Sequence, residues 1–220
     1  MSRTVPLARW LLSTSVLAAL LLMCAGKTNV PMLKIYLAVF AGMGFVTALA
    51  TDVSQDAERR KPGPAEIHPN SRRAASFLFL VTLFLAALDA GRLHWTKASI
   101  GTTQTVALVV LIAAASVQTW AMVSNPFFST VIRIQSDRGH ELVTRGPYRL
   151  IRHPGYLAMT IMMPATALVI GSVIAMITAF SYSVLILWRT ESEDQFLAER
   201  LAGYAEYAAR VRYRLIPTLW

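Results

Sequence analysis

Residues 125–156, a polar segment between two apolar runs, contain most of the residue types in this chain that could do chemistry. The segment holds five Arg, two His, three Pro, three Gly and two Tyr. Glycines let a backbone approach a ligand closely, prolines stiffen a loop, and arginines bind carboxylate or phosphate groups. Aromatic faces suit an adenine ring or a cation. Because about 30 residues is unusually long for a connection, the segment predicts a binding loop for an anionic, aromatic ligand.

The tail that follows Trp188 is a second candidate. Arg189 and Glu193 are four residues apart, so they share one face of a helix that leaves the last apolar run. One explanation is a surface ion pair worth a few tenths of a kcal/mol. A charge at the end of a membrane helix is expensive unless it is used, which favours a functional role for both residues. An apolar stripe continues beyond them at Phe196, Leu197, Leu201, Tyr204, Tyr207 and Val211, and predicts a C-terminal amphipathic helix along the membrane surface or over the loop.

The composition indicates which elements must position these residues. Only 15% of the 220 residues are charged and 55% are hydrophobic, whereas a soluble domain carries about 25% charged residues. Apolar runs long enough to cross a bilayer occur at 7–25, 32–51, 74–91, 103–123 and 156–188.

The last run is too long for one crossing, and Pro164 and the Gly171-Ser172 pair are expected to interrupt it. These residues predict a helical hairpin over 156–169 and 172–189, in which each half need not span fully. The predicted fold is therefore an all-α, polytopic integral membrane protein. It has about six hydrophobic helices, the last two forming a hairpin, plus the C-terminal amphipathic helix. We divide it into a transmembrane scaffold, 1–124, and a catalytic region, 125–220.

The charges fix the predicted orientation. With six spans, 17 of the 21 basic residues fall on one side and four on the other. The positive-inside rule then places both termini, both long loops and the active site in the cytoplasm. The same bias, with attraction to anionic membrane lipids, explains the net charge of +9 without nucleic acid as a partner.

Other titratable residues predict little chemistry. The single Cys24 excludes a disulfide within one chain. His140 and His153 are thirteen residues apart in no metal-binding pattern, so no metal site is predicted. Asp89, near the end of the third run, is expected to reach the membrane surface or a polar partner.

The order of these residues resembles the isoprenylcysteine carboxyl methyltransferase family, whose members are integral-membrane enzymes that use S-adenosylmethionine. The resemblance covers about 125–217 and rests on two series. The first is Gln135…Arg138-Gly139-His140…Leu142-Val143…Gly146-Pro147-Tyr148-Arg149…Arg152-His153-Pro154-Gly155-Tyr156. The second is Arg189…Glu193-Asp194…Leu197…Tyr204…Tyr207…Arg214-Leu215-Ile216-Pro217.

The resemblance implies a set of site residues. Arg189 would bind the carboxylate of the substrate, and Arg189 and Glu193 would form the catalytic pair. In one departure, the family usually has two adjacent Glu residues where this chain has Glu193 and Asp194. The S-adenosyl-L-methionine pocket would be formed by Gln135, His140, Glu141, Leu142, Val143, Tyr148, His153, Pro154, Gly155, Tyr156 and Glu193.

The implied reaction is methyl transfer to a lipophilic acceptor, most consistent with the carboxylate of a prenylcysteine-like or lipidated cysteine substrate. A carboxylate needs no general base to attack a methyl sulfonium, so positioning and a dry site suffice. Methylation of a phospholipid amine or a small thiol is the alternative. Further alternatives are a sterol-type reductase with a nicotinamide cofactor and a non-catalytic scaffold or transporter. The sequence leaves the acceptor and the oligomeric state open.

Overall fold

The computed structural model describes residues 4–26, 30–51, 67–96 and 101–220. Within these ranges the chain forms six long helices and one short helix. They are α1 (Thr4–Ala25), α2 (Pro31–Ala50), α3 (Pro69–Leu88), α4 (Gly101–Ser124), α5 (Pro154–Ile170), α6 (Ala175–Arg200) and α7 (Tyr204–Arg210). The prediction of about six hydrophobic helices is confirmed.

Four helical segments are long and apolar enough to cross a membrane: Leu7–Ala25, Pro31–Ala50, Pro69–Leu93 and Gly101–Ser124. Helix α5 is also apolar but has only 17 residues, about 26 Å against a hydrocarbon core of about 30 Å. Helix α6 has 26 residues and becomes charged after Trp188. The protein is therefore a polytopic, all-α membrane protein.

The hairpin between α5 and α6 turns at Gly171, which has a φ of +94°. Helix α5 continues through Pro164, so the predicted interruption at that proline is wrong. Proline removes a single backbone donor, a loss that membrane helices tolerate. Buried Asp89 holds the turn, because it accepts hydrogen bonds from the Thr96 hydroxyl and the Ser172 hydroxyl, both at 2.6 Å. Asp89 thus has the polar partners expected of it.

The helices bring the loop and the tail to one end of the bundle. Helix α5 packs between α4 and α6, and α6 also packs against α3. At the polar end, the amide of Ile67 donates to the carbonyl of Ile132 at 3.2 Å. The amide of Arg152 likewise donates to the carbonyl of Tyr213 at 3.0 Å. The start of α3, the loop and the tail therefore surround one volume.

The tail is folded over the loop in two pieces. Helix α6 ends at Arg200, Gly203 adopts a φ of +78°, and α7 follows. The left-handed conformation at Gly203 redirects the chain, and glycine adopts it without steric cost. The predicted apolar stripe is therefore divided between two helices. Tyr204 and Tyr207 in α7 are both buried.

Candidate active site

Gln135 braces the loop between α4 and α5. Its side chain is buried, with Nε2 donating to the carbonyl of Phe127 at 2.7 Å and Oε1 accepting from Arg138 Nη1 at 2.7 Å. Its backbone amide donates to Nδ1 of His140 at 3.2 Å. These bonds fold 127–140 into a compact turn, with the His140 and Phe127 rings stacked 4.5 Å apart.

A cavity of about 450 Å³ lies between this loop, the helix bundle and α7. Its size is typical of a site for a small molecule or cofactor. Ten of the twelve residues expected at the site line it: His140, Glu141, Leu142, Val143, Tyr148, His153, Gly155, Tyr156, Arg189 and Glu193. The other two, Gln135 and Pro154, are buried but are not among its lining residues.

Arg189 enters the cavity wall from α6 and is only 3% exposed. Its Nη1 donates to the hydroxyl of Ser71, and its Nη2 donates to the carbonyl of Thr130 at 3.0 Å. Both acceptors are neutral, and no carboxylate among the described residues forms an ion pair with this guanidinium. A buried cation without a counter-ion is unfavourable unless a ligand supplies the charge.

Glu193 lies one helical turn further along α6 and also lines the cavity. Its Oε2 accepts a hydrogen bond from the hydroxyl of Tyr156, in the first turn of α5. None of the ion pairs found in the described part of the chain includes Glu193. The cavity therefore contains a cationic and an anionic group that are each held by neutral partners.

Asp194, adjacent to Glu193, is the centre of a buried polar cluster. Arg152 donates to both of its carboxylate oxygens, at 2.8 and 2.9 Å, and Arg214 Nε donates to Oδ2 at 2.8 Å. The Tyr204 hydroxyl donates to Oδ1 at 2.7 Å, and Nε2 of His153 lies 3.0 Å from the same oxygen. One carboxylate thus joins the end of the loop, α6, α7 and the tail.

This cluster keeps Asp194 ionised. Burial alone would raise the pKa of its carboxyl, but the hydrogen bonds from His153 and Arg152 and the other donors hold the pKa well below its usual value. Arg152 also donates to the carbonyls of Val211 and Arg212, at 2.9 and 2.8 Å. The cluster therefore fixes the cavity wall that His153 and Tyr204 form.

His140 has the opposite electrostatic environment. Burial, assisted by the nearby guanidinium groups of Arg133 and Arg138, lowers the pKa of its imidazole to about 4. The ring is therefore neutral near pH 7. Stacked on Phe127, it presents a flat, uncharged surface to the cavity, which suits an aromatic ligand ring.

Several lining residues were not expected from the sequence. Gln118 comes from α4, and Met159, Tyr182 and Ile186 come from α5 and α6. Within an apolar span, such residues give no signal that separates a cavity wall from a lipid-facing or packed surface. The loop aromatics Phe127 and Phe128 did carry a usable signal, since two adjacent aromatics in a polar loop favour ligand stacking. The α3 contribution consists of Arg72, Ala75, Ser76, Phe79 and Leu80.

Comparison with known proteins shows what the segment that forms most of this site is similar to. Residues 106–199 match the model of the isoprenylcysteine carboxyl methyltransferase (ICMT) family. This segment runs from the second turn of α4 to the last turn of α6 and includes the loop, Arg189 and Glu193. This part of the chain is thus similar to the ICMT family.

The curated relatives include plant and bacterial proteins. The chain is 34% identical over 113 residues to a probable protein-S-isoprenylcysteine O-methyltransferase of Oryza sativa subsp. indica, covering 48% of this chain and 57% of the relative. It is 27% identical over 124 residues to protein-S-isoprenylcysteine O-methyltransferase B of Arabidopsis thaliana, covering 54% and 58%. It is also 28% identical over 137 residues to the cobalt-zinc-cadmium resistance protein CzcN of Cupriavidus metallidurans, covering 60% and 57%. The matched region spans less than two thirds of each relative.

The ICMT match does not include the whole cavity wall. The α3 residues that line the cavity and the α7 residues Tyr204 and Tyr207 lie outside it. The match does include Asp194, the centre of the polar cluster, and Gln118. The ICMT segment therefore supplies the loop and the Arg189–Glu193 face, while flanking elements complete the enclosure.

Proposed function

We propose that this protein is a membrane methyltransferase that transfers a methyl group from S-adenosylmethionine to the carboxylate of a lipophilic, prenylcysteine-like acceptor. The ICMT match and the two plant relatives named as protein-S-isoprenylcysteine O-methyltransferases support this activity. The observation that carries the proposal is the state of Arg189, a buried guanidinium in the cavity wall with no carboxylate partner in the described residues.

Arg189 has donors available for an acceptor carboxylate. A guanidinium has five N–H donors, and Ser71 and Thr130 use two of them. Even if the adjacent Tyr156 hydroxyl uses a third, at least two remain for paired hydrogen bonds. A protonated amine would be repelled by this cation and a neutral amine would gain no ionic attraction from it, so Arg189 favours an acid over a phospholipid amine.

The cavity also fits S-adenosylmethionine. Its volume of about 450 Å³ is large enough for a nucleoside with a short side chain. The neutral His140–Phe127 pair suits an adenine ring, and Glu193 offers a carboxylate to an ammonium or hydroxyl group. When bound, the cofactor would supply an electrophilic methyl group on a sulfonium. Gln135 does not line the cavity, so it would act indirectly, by holding His140 and Phe127 in position.

The residues of this chain would then act by orientation and by exclusion of water. A carboxylate is already nucleophilic, so no side chain has to remove a proton from it. Ser71 and Thr130 fix the direction of Arg189, and Tyr156 fixes Glu193. Because both charged groups are held before any ligand arrives, little reorganisation accompanies the reaction. Helix α7 covers the cavity with Tyr204 and Tyr207 and limits water there.

We infer that the cavity faces the cytoplasm. The contacts between Ile67 and Ile132 and between Arg152 and Tyr213 put the start of α3, the loop and the tail at one end of the bundle. These same segments carry most of the basic residues that the positive-inside rule assigns to the cytoplasmic side. A soluble cofactor from the cytoplasm and a lipophilic acceptor from the bilayer would meet at that surface.

The proposal is tested by radiolabelled methyl transfer from S-adenosylmethionine to a panel of lipophilic acids, amines and thiols, with the protein in detergent or liposomes. We expect methylation of an S-prenylcysteine acid and thermal stabilisation by S-adenosylhomocysteine. Methylation of amines or thiols alone would overturn the carboxylate assignment. Stabilisation by a nicotinamide dinucleotide alone would favour the reductase alternative.

A further inference from the structure

Among the described residues, five tyrosines line the cavity, and four of their hydroxyl groups are hydrogen-bonded within the protein. The four are Tyr148, Tyr156, Tyr204 and Tyr207, whose hydroxyls donate to a backbone carbonyl or to a carboxylate. The fifth, Tyr182, forms no such bond in the described part of the chain. The serine and threonine hydroxyls of α6 are all bonded to backbone carbonyls, so on this helix the missing partner is peculiar to Tyr182.

The oxygen of the Tyr182 hydroxyl is accessible from the cavity. Tyr182 lines the cavity, although only 6% of the residue is exposed. Gln118 Oε1 also has no partner, but it has almost no accessible surface, whereas the Tyr182 oxygen is not among the atoms enclosed in this way. A buried tyrosine hydroxyl normally has a hydrogen-bond partner. A ligand in the cavity is therefore the natural source of a partner for Tyr182.

Tyr182 lies deeper in the helix bundle than the charged residues of α6. The cavity-lining residues of this helix share one face and are, in order, Tyr182, Ile186, Arg189, Glu193 and Leu197. Seven residues separate Tyr182 from Arg189, which corresponds to a rise of about 10.5 Å along the helix. The charge of Arg189 still acts on the Tyr182 hydroxyl. Both side chains therefore face the same volume, one at its polar end and one toward its apolar end.

The cavity wall around Tyr182 is largely apolar. The hydroxyls of Thr82 and Thr178 are 2.9 Å apart, which sets α3 beside this part of α6. Phe79 from α3 and Met159 from α5 supply apolar surface to the cavity there. This end of the cavity suits the lipophilic part of an acceptor. Tyr182 adds a hydrogen-bond donor to a wall that otherwise suits hydrocarbon.

We propose that Tyr182 donates a hydrogen bond to an oxygen atom on the lipophilic part of the acceptor, about two helical turns from the carboxylate that Arg189 binds. This inference rests on the proposed function and narrows the class of acceptor. A chain with a carbonyl, hydroxyl or ether oxygen at this distance is favoured over a pure hydrocarbon chain. The hydrocarbon would leave the hydroxyl unpaired, and a site built to form a hydrogen bond discriminates against a ligand that lacks the partner.

A series of acceptors tests this assignment by position. The parent is N-acetyl-S-dodecylcysteine, and each other member carries one ketone, at the fourth to the ninth carbon of the S-alkyl chain. An extended chain advances about 1.2 Å per bond, so the sixth carbon lies about as far from the carboxyl carbon as Tyr182 lies from Arg189. For the wild type we expect the highest kcat/KM with ketones at the fifth to seventh carbons. The increase over the parent should be about five- to tenfold, as one hydrogen bond would give.

The substitution Tyr182→Phe removes the hydroxyl and keeps the ring, so the dependence of kcat/KM on ketone position should disappear. The matched control is Tyr36→Phe, at a buried tyrosine of α2 that does not line the cavity, and it should keep the wild-type profile. The Kd for S-adenosylhomocysteine should be the same in Tyr182→Phe and the wild type. The profile is a ratio between acceptors, which a general loss of stability would not change. The wild-type profile needs no substitution, so it tests the assignment even if Tyr182→Phe does not fold.

The outcomes distinguish the two proposals. A flat wild-type profile, which a bound water on the hydroxyl would produce, would overturn the role of Tyr182. So would a peak that persists in Tyr182→Phe, weaker S-adenosylhomocysteine binding in that variant, or methylation of an S-prenylcysteine acid with none of the ketones accepted. Methyl transfer itself would stand in each of these cases. A wild-type protein that methylates neither an S-prenylcysteine acid nor any member of the series would overturn the proposed function.

Discussion

Arg189 and Glu193 lie one turn apart on α6, yet they do not form an ion pair. Arg189 is held by Ser71 and Thr130, and Glu193 is held by Tyr156. Because opposite charges at this spacing normally attract, three separate elements hold them apart. The arrangement leaves one cation and one anion available in a single cavity. This arrangement suits the carboxylate acceptor and the cationic cofactor that we propose.

The first prediction concerns Arg189. We expect Arg189→Ala to lower kcat/KM for a prenylcysteine acid by about 10- to 100-fold, since charged hydrogen bonds contribute about 1.5–3 kcal/mol. The Kd for S-adenosylhomocysteine, measured by calorimetry in detergent, should change little. The matched control is Arg200→Ala, on the exposed end of the same helix. Parallel losses of acceptor turnover and cofactor binding would contradict separate roles for Arg189 and Glu193.

Glu193 carries the complementary prediction. Glu193→Gln removes the charge but keeps the shape, so it should weaken S-adenosylhomocysteine binding by about tenfold through loss of a charge-assisted hydrogen bond. Tyr156→Phe releases the carboxylate from its anchor and should have a smaller effect in the same direction. Glu199→Gln, at an exposed position of α6, is the control. An unaltered calorimetric Kd in Glu193→Gln would remove this residue from the cofactor site.

The Asp194 cluster predicts a stability effect. Asp194→Asn removes the charge and leaves buried Arg152 without its ion-pair partner. We expect the free energy of unfolding to fall by about 3 kcal/mol, which corresponds to a Tm lower by roughly 6–12 °C. Asp194→Glu keeps the charge but adds a methylene to a packed site, so a smaller loss is expected. Thermal unfolding in detergent measures both. Equal Tm values for wild type and Asp194→Asn would show that the cluster does not hold the tail.

The same cluster sets a pH dependence. The pKa of Asp194 is lowered on folding, so its contribution to stability is fully present above its unfolded value of about 3.9. That contribution declines as the pH falls below this value toward the folded pKa. The Tm difference between wild type and Asp194→Asn should therefore be constant from pH 7 to pH 5 and shrink below about pH 4. A difference that shrinks between pH 7 and pH 5 would assign the effect to another group.

Particular residues show how far the sequence could predict this structure. The helices and the loop were predictable because apolar length and charge bias are properties of single segments. The tail was predicted less well. The apolar residues after Glu193 predicted one continuous amphipathic helix, whereas the left-handed conformation at Gly203 divides these residues between α6 and α7. The partnership of Arg189 with Ser71 joins residues 118 positions apart, and no local pattern indicates such a contact. The roles assigned to the cavity residues remain predictions.

His140 provides the last prediction, because its low pKa must appear in the stability of the protein. Its imidazole has a pKa of about 4 in the folded chain, against an ordinary value of 6.5. Lowering the pH therefore protonates the unfolded chain before the folded one, and stability declines from about pH 6.5 toward pH 4. His140→Phe keeps an aromatic ring against Phe127 without a titratable group and should flatten that decline. The measurement is Tm against pH for both proteins, and identical slopes between pH 6.5 and 4 would show that His140 is not buried as a neutral ring.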